Sequence, residues 1–315
     1  MTIHLDPEIA AALKVAAEAA AGVSIPARDD ALALRALTNP TLEASFGTLP
    51  PAPDVETTDF ETLAADGTTI ALRWYTRGDE KPGAAIVYVH GGGMICGSVD
   101  LYDPLVRHYV HLTGVPFLAV DYRLAPEFPG TIPAEDSFAA VRWLLDHADE
   151  LAVDTARVAL MGDSGGGGVG AGAAILARDH HVPLARQILI YPMLDDRNTT
   201  PDPHLSATAT WTYDNNYTGW HALLGDEIGT ASVSPIAAPA RLTAFEGLAP
   251  AYIEVGELDI FRDESVHYAR RLTSAGISCE LHLHPGAPHG HDWLGHPTAV
   301  GQRSLRDRVR VITSL

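Results

Sequence analysis

Ser164 sits in the run Gly162-Asp163-Ser164-Gly165-Gly166, after the largely apolar run Arg157-Val158-Ala159-Leu160-Met161 and before a stretch rich in glycine and alanine. This reads as a strand, a sharp turn and a helix. A Gly-x-Ser-x-Gly turn needs its glycines because neighbouring backbone passes where a Cβ would collide. A serine hydroxyl at the start of a helix is a candidate nucleophile. Upstream, His90-Gly91-Gly92-Gly93 closes the apolar run 85–89 and can supply backbone N–H groups to an oxyanion. Downstream, Asp259 and His289 each follow a further apolar run, giving the order nucleophile, acid, base. A neutral His289 would take the Ser164 proton while Asp259 fixes its tautomer and stabilises the imidazolium. These parts together describe acyl transfer.

Each assignment has rivals. His282, His284, His289, His291 and His296 crowd one segment, and His291 competes as base. His282 and His284 lie two apart on an expected strand and so share a face, where they could bind metal. A partly solvated strand face is the simpler reading, and no metal or cofactor is expected. Glu257 and Asp263 compete with Asp259, although Asp263 suits the first turn of the next helix. Gly-Asp-Ser-Gly-Gly also surrounds the nucleophile of trypsin-like proteases, but those chains place histidine and aspartate before the serine. Gly165-x-Gly167-x-x-Gly170, with Asp195 and Asp196 after the next strand, fits a dinucleotide fingerprint weakly. A phosphate-binding P-loop needs a lysine in the motif, and the only lysines are Lys14 and Lys81.

Strands that could carry these residues fall at 85–89, 116–120, 158–161, 187–191, 251–255 and 279–284. Helical patterns fall within 100–112, 133–147, 165–178, 263–275 and 297–312. The alternation predicts a mostly parallel sheet covered on both faces, with function at the carboxyl ends of its strands. Before it, residues 55–63 and 69–75, split by Asp66-Gly67, read as a hairpin. Asp6-Pro7-Glu8 opens an amphipathic helix to about residue 20, and prolines at 50, 51 and 53 mark a linker. Residues 195–229 break the rhythm with a helical-looking insertion. The expected division is therefore a helical segment and linker at 1–53, a catalytic domain at 54–194 and 230–315, and a cap insertion at 195–229. Phe46, Trp211, Tyr213 and Trp220 are the candidate lining of a pocket beneath that cap.

Composition narrows the class. The 315 residues are 46% hydrophobic, enough for a sizeable core. A net charge of −19 argues against nucleic acid and anionic membrane as partners. Two cysteines, Cys96 and Cys279, are too few for a disulfide framework or a thiolate metal site. No stretch is long and apolar enough to span a bilayer, and the N-terminus lacks a cationic start with an apolar core. The expectation is a soluble cytoplasmic protein, with a homodimer left open.

Four motifs in order resemble the hormone-sensitive-lipase family of α/β-hydrolase carboxylesterases, over about residues 87–293. They are His90-Gly91-Gly92-Gly93, Tyr122-Arg123-Leu124-Ala125-Pro126-Glu127, Gly256-Glu257-Leu258-Asp259 and Pro285-Gly286-Ala287-Pro288-His289-Gly290. The resemblance implies an α/β-hydrolase fold with a helical cap and hydrolysis of small uncharged acyl esters through an acyl-enzyme. It implies oxyanion donors at the N–H groups of Gly92, Gly93 and Gly165. Arg123 and Glu127 then read as ties for the oxyanion loop, and Asp163 as a brace or cap of the elbow. Two positions depart from the family pattern. Gly165 replaces a usual alanine and would loosen the elbow. His291 replaces a usual phenylalanine and would put a polar group near the acyl pocket. A non-catalytic receptor on the same fold is the alternative, separated by activity on a chromogenic acetate ester.

Overall fold

Short apolar runs bounded by turn residues become the strands, and longer amphipathic runs the helices. The computed structural model describes residues 3–19, 22–78 and 83–315. Its strands are β1 (Val55–Leu63), β2 (Thr69–Arg77), β3 (Gly83–Val89), β4 (Phe117–Val120), β5 (Val153–Asp163), β6 (Arg186–Ile190), β7 (Ala251–Gly256) and β8 (Cys279–His284). Its helices are α1 (Pro7–Ala19), α2 (Ala31–Phe46), α3 (Val99–Thr113), α4 (Ile132–Asp146), α5 (Gly165–Asp179), α6 (Pro203–Ser206), α7 (Tyr213–Leu224), α8 (Arg262–Ser274), α9 (His291–Leu294) and α10 (Ala299–Thr313). Residue 20, the expected end of the first helix, lies outside the described residues. All eight strands form one sheet in the order β1-β2-β4-β3-β5-β6-β7-β8. β1 and β2 form the antiparallel hairpin, β2 meets β4 antiparallel, and the rest run parallel. This is the α/β-hydrolase fold.

The period-2 alternation of the strands sends their side chains to two cores. Ile86, Tyr88, Phe117 and Ala119 pack with Val106 and Val110 of α3 and Ile312 of α10. Val87, Val89, Leu118 and Leu160 face the other way, onto Ala140, Val141 and Leu144 of α4 and Ala173 of α5. Central strands buried on both faces read as unbroken apolar runs, which is why the sequence betrays them. β5 differs, because it begins at Val153 and its residues 154–157 are exposed. That stretch has no apolar run, and only 158–161 were expected.

The parallel strands all deliver their carboxyl ends to one edge. His90 follows β3, Ser164 follows β5, and the loops to Asp259 and His289 follow β7 and β8. α1 docks beside that edge. The Asp6 N–H donates to the Gly286 carbonyl at 2.9 Å, and buried Ile9 packs on Ala287 and Val300.

Candidate active site

Ser164 occupies the turn between β5 and α5 at φ 55° and ψ −121°, a conformation that costs a non-glycine residue strain. The glycines around it cannot carry side chains. A Cβ on Gly162 would lie 2.3 Å from the Gly166 carbonyl oxygen, and one on Gly166 would lie 2.2 Å from that of His90. A Cβ on Gly168 would lie 2.0 Å from the Met193 oxygen. These glycines are spent on contacts between backbones, which leaves no cradle for the pyrophosphate of a dinucleotide. Asp163 braces the elbow without capping the helix: its carboxylate accepts from the Tyr88 hydroxyl at 2.6 Å and from Tyr102 at 3.5 Å. Burial pushes this carboxyl up to about 6, against the pull of the Tyr88 bond.

The structure brings Ser164, His289 and Asp259 together. Ser164 Oγ is 2.8 Å from His289 Nε2, and His289 Nδ1 is 2.8 Å from Asp259 Oδ2. Asp259 is fully buried and also accepts from the Phe261 N–H at 2.9 Å. The His289 ring is held edge-on by Tyr191 and Phe261, with centroids 4.7 and 5.0 Å away. Thr210 donates to the His289 carbonyl at 2.6 Å, so residues between β6 and β7 also fix the histidine.

The rivals are engaged elsewhere. Glu257 accepts from the Gly286 N–H at 3.0 Å, and Asp263 pairs with Arg262. His282 bonds Glu280 and Asp307. His291 corrects an expectation: it does not line the cavity but turns inward, with Nε2 2.9 Å from Ser304 Oγ. There its ring meets His284, and Glu254 completes a buried trio with ligand atoms within 4.8 Å of one another. The Glu254 carboxylate is already bonded by Arg308 and by the Tyr252 hydroxyl, while His284 and His291 share Ser304. Arg308 already neutralises the Glu254 carboxylate.

Gly92 and Gly93 turn at φ 110° and 59°, a path open to glycine. The N–H groups of Ile95 and Cys96 both donate to the Gly92 carbonyl, at 3.1 and 2.9 Å. Among the described residues the N–H groups of Gly92, Gly93 and Gly165 donate to nothing. Gly165 also bears on the facing loop. A Cβ there would lie 2.7 Å from the backbone nitrogens of Gly93 and Met94, so its absence lets the 92–94 segment close onto the nucleophile.

A cavity of about 430 Å³ opens over Ser164, His289, Gly92 and Gly93, walled by apolar side chains including Leu34, Leu37 and Trp211. Of the four aromatic residues expected there, only Trp211 reaches it. Phe46 packs behind, 4.7 Å from the Tyr102 ring, and Tyr213 and Trp220 belong to the core. The aromatic lining comes instead from Tyr102, Tyr191 and Trp293, on elements that carry no motif. At the rim Arg28 stacks on Tyr217 at 3.7 Å and lies 3.7 Å from Asp214. Arg123 grips buried Asp136 with two bonds of 2.9 and 2.7 Å. Glu127 is half exposed and pairs with Arg35 of α2, a partner the sequence did not suggest.

Residues 86–292 match the family model described as alpha/beta hydrolase fold. An ethyl acetate hydrolase of Pseudomonas putida is 32% identical over 254 residues, 75% of this chain and 76% of that protein. Esterase LipI of Mycobacterium tuberculosis is 33% identical over 242 residues, 73% of each chain. A bacterial heroin esterase superposes with a TM-score of 0.89 at 34% identity, covering 98% of this chain and 97% of that one. With these relatives and this fold, the chain belongs to the hormone-sensitive-lipase-like carboxylic ester hydrolases of the α/β-hydrolase family.

Proposed function

We propose that this carboxylesterase hydrolyses short- to medium-chain acyl esters through an acyl-enzyme on Ser164. The observation that carries the reading is the run Ser164–His289–Asp259, with two contacts of 2.8 Å, facing three unspent N–H groups across an apolar cavity. His289 Nε2 takes the hydroxyl proton as Ser164 Oγ attacks the ester carbonyl, and Asp259 stabilises the imidazolium. The N–H groups of Gly92, Gly93 and Gly165 hold the tetrahedral oxyanion. The imidazolium then protonates the departing alkoxide, releasing the alcohol. Water, deprotonated by His289, cleaves the acyl-enzyme and frees the acid. No step calls for a cofactor or metal.

In the same reading, residues 1–53 and 195–229 cap a catalytic body at 54–194 and 230–315. Leu34, Leu37 and Leu42 from one segment, and Trp211 from the other, support it by walling the cavity. The free cysteines Cys96 and Cys279 suit a reducing compartment, and we assign the protein to the cytoplasm. The test is covalent. A fluorophosphonate should label Ser164 alone, and Ser164→Ala should abolish both labelling and hydrolysis of p-nitrophenyl butyrate while the fold persists. A label at another serine would remove the assignment.

A further inference from the structure

α2 meets the site twice. Leu34, Leu37 and Leu42 wall the cavity. Arg35 and Asn39, spaced i and i+4, share an adjacent stripe that grips the far limb of the oxyanion loop. Arg35 Nε donates to the Ile95 carbonyl, and its Nη2 donates to that of Ala125 at 2.8 Å. The same guanidinium forks onto the Glu127 carboxylate at 2.8 and 2.7 Å. Ala125 in turn donates its N–H to the Met94 carbonyl at 3.0 Å. Asn39 Oδ1 accepts the Gly97 N–H at 3.0 Å.

The loop needs such anchors. Gly92, Gly93 and Gly97 all turn at positive φ, and a chain so rich in glycine has little stiffness of its own. Its internal bonds, from Ile95 and Cys96 to Gly92, tie the turn only to itself. An oxyanion hole must nonetheless hold its donors to within about 0.5 Å. We propose that Arg35 and Asn39 are positioning residues for the oxyanion hole, so that α2 sets the aim of the Gly92 and Gly93 N–H groups as well as the cavity wall. This rests on the acyl-enzyme reading above. Neither residue touches the reacting atoms.

Three variants test it: Arg35→Met, which keeps an apolar stem and removes the donors; Asn39→Leu, which removes the acceptor; and Asn39→Asp, which keeps it. Arg35→Met and Asn39→Leu should lower kcat for p-nitrophenyl butyrate about 10- to 100-fold with KM nearly unchanged, because transition-state contacts are lost while ground-state contacts persist. Affinity for a butyl trifluoromethyl ketone, which forms a tetrahedral adduct, should fall in parallel. Asn39→Asp should recover most of kcat. Unchanged kcat and ketone affinity, or an Asn39→Asp as poor as Asn39→Leu, would overturn the inference. Should Arg35→Met fail to fold, the Asn39 pair decides. Wild-type protein without hydrolysis at Ser164 would overturn both readings, whereas active wild type with unaltered variants overturns this one alone.

Discussion

His289 and His291 stand two residues apart and face different surroundings. His289 meets Ser164 in the cavity, while His291 is fully buried against Ser304 and His284. His289→Ala should lower kcat by about 10³–10⁶-fold, since the acceptor of the serine proton is gone. His291→Ala should keep most activity but lower the melting temperature, because Ser304 and His284 lose a buried partner at a cost of about 1–3 kcal/mol. Steady-state kinetics and thermal denaturation check the pair, and the reverse pattern would move the base to His291. The sequence puts both residues in one short loop. Which ring enters the cavity depends on the turn into α9, and the sequence favours His289 only by its place after Gly286-Ala287-Pro288 in the loop behind β8. Ser164 is legible because its turn demands glycine at fixed offsets. The Arg35–Glu127 tie is not, because it joins side chains 92 positions apart with no periodicity between them.

At the scale of elements, what the sequence shows well is what burial dictates. β3, β4 and β7 are buried along nearly their whole length, and their apolar runs mark them. The exposed start of β5 and the walls of the cavity escape notice, because many unrelated segments supply them. Trp211 is the clearest case. Its ring would sit 2.6 Å from a Cβ on Gly93, so the indole forms the wall nearest the oxyanion donors. A short acyl chain gains about 0.8 kcal/mol for each buried methylene until it meets the far wall. We therefore expect kcat/KM to rise from acetate to about butyrate or hexanoate and then fall. Trp211→Ala should shift that optimum to longer chains, read from p-nitrophenyl esters of increasing length. An unchanged optimum would place the limiting wall elsewhere.

For the whole molecule, the balance of buried charge sets the response to acid. Burial pushes His108 and His284 down to about 4, and lowers His90 and His291 as well. Below the ordinary histidine value of 6.5 the unfolded chain binds protons that the fold refuses, so stability falls as pH drops from 6.5 towards 4. Asp163, pushed up by burial to about 6, and Glu264, also raised by burial, act in the opposite sense, since the fold keeps their protons. With four histidines set against two acids, we expect the histidines to decide the sign. Asp292 and Glu254, although buried, are held low by Arg308 and withdraw their support at still lower pH. The melting temperature should therefore decline from pH 7 to 4. Among the described residues His108 has no partner on either ring nitrogen, so His108→Leu should flatten that decline without costing a hydrogen bond. A flat or rising curve in the wild type would show that the two acids dominate.

The glycines of α5 have one more consequence, in the order of assembly. This helix carries six glycines in fifteen residues. Against alanine that is a handicap of about 5–6 kcal/mol in intrinsic helix propensity, so the isolated segment has almost no tendency to coil. Its glycines fit against the backbone of residues 89–94, Pro192, Met193 and Ile236 and against the Leu160 side chain of β5, so the helix needs those surfaces in place. We therefore expect the nucleophile's turn to form late in folding, although it lies near the middle of the chain. On dilution from denaturant, far-ultraviolet ellipticity should recover first and ester hydrolysis should lag behind it. A Cβ on Gly172 would lie 2.2 Å from the Ile236 carbonyl oxygen, a clash, so Gly172→Ala should lengthen the lag despite its better propensity. Here a residue that favours helix would hinder the helix from arriving.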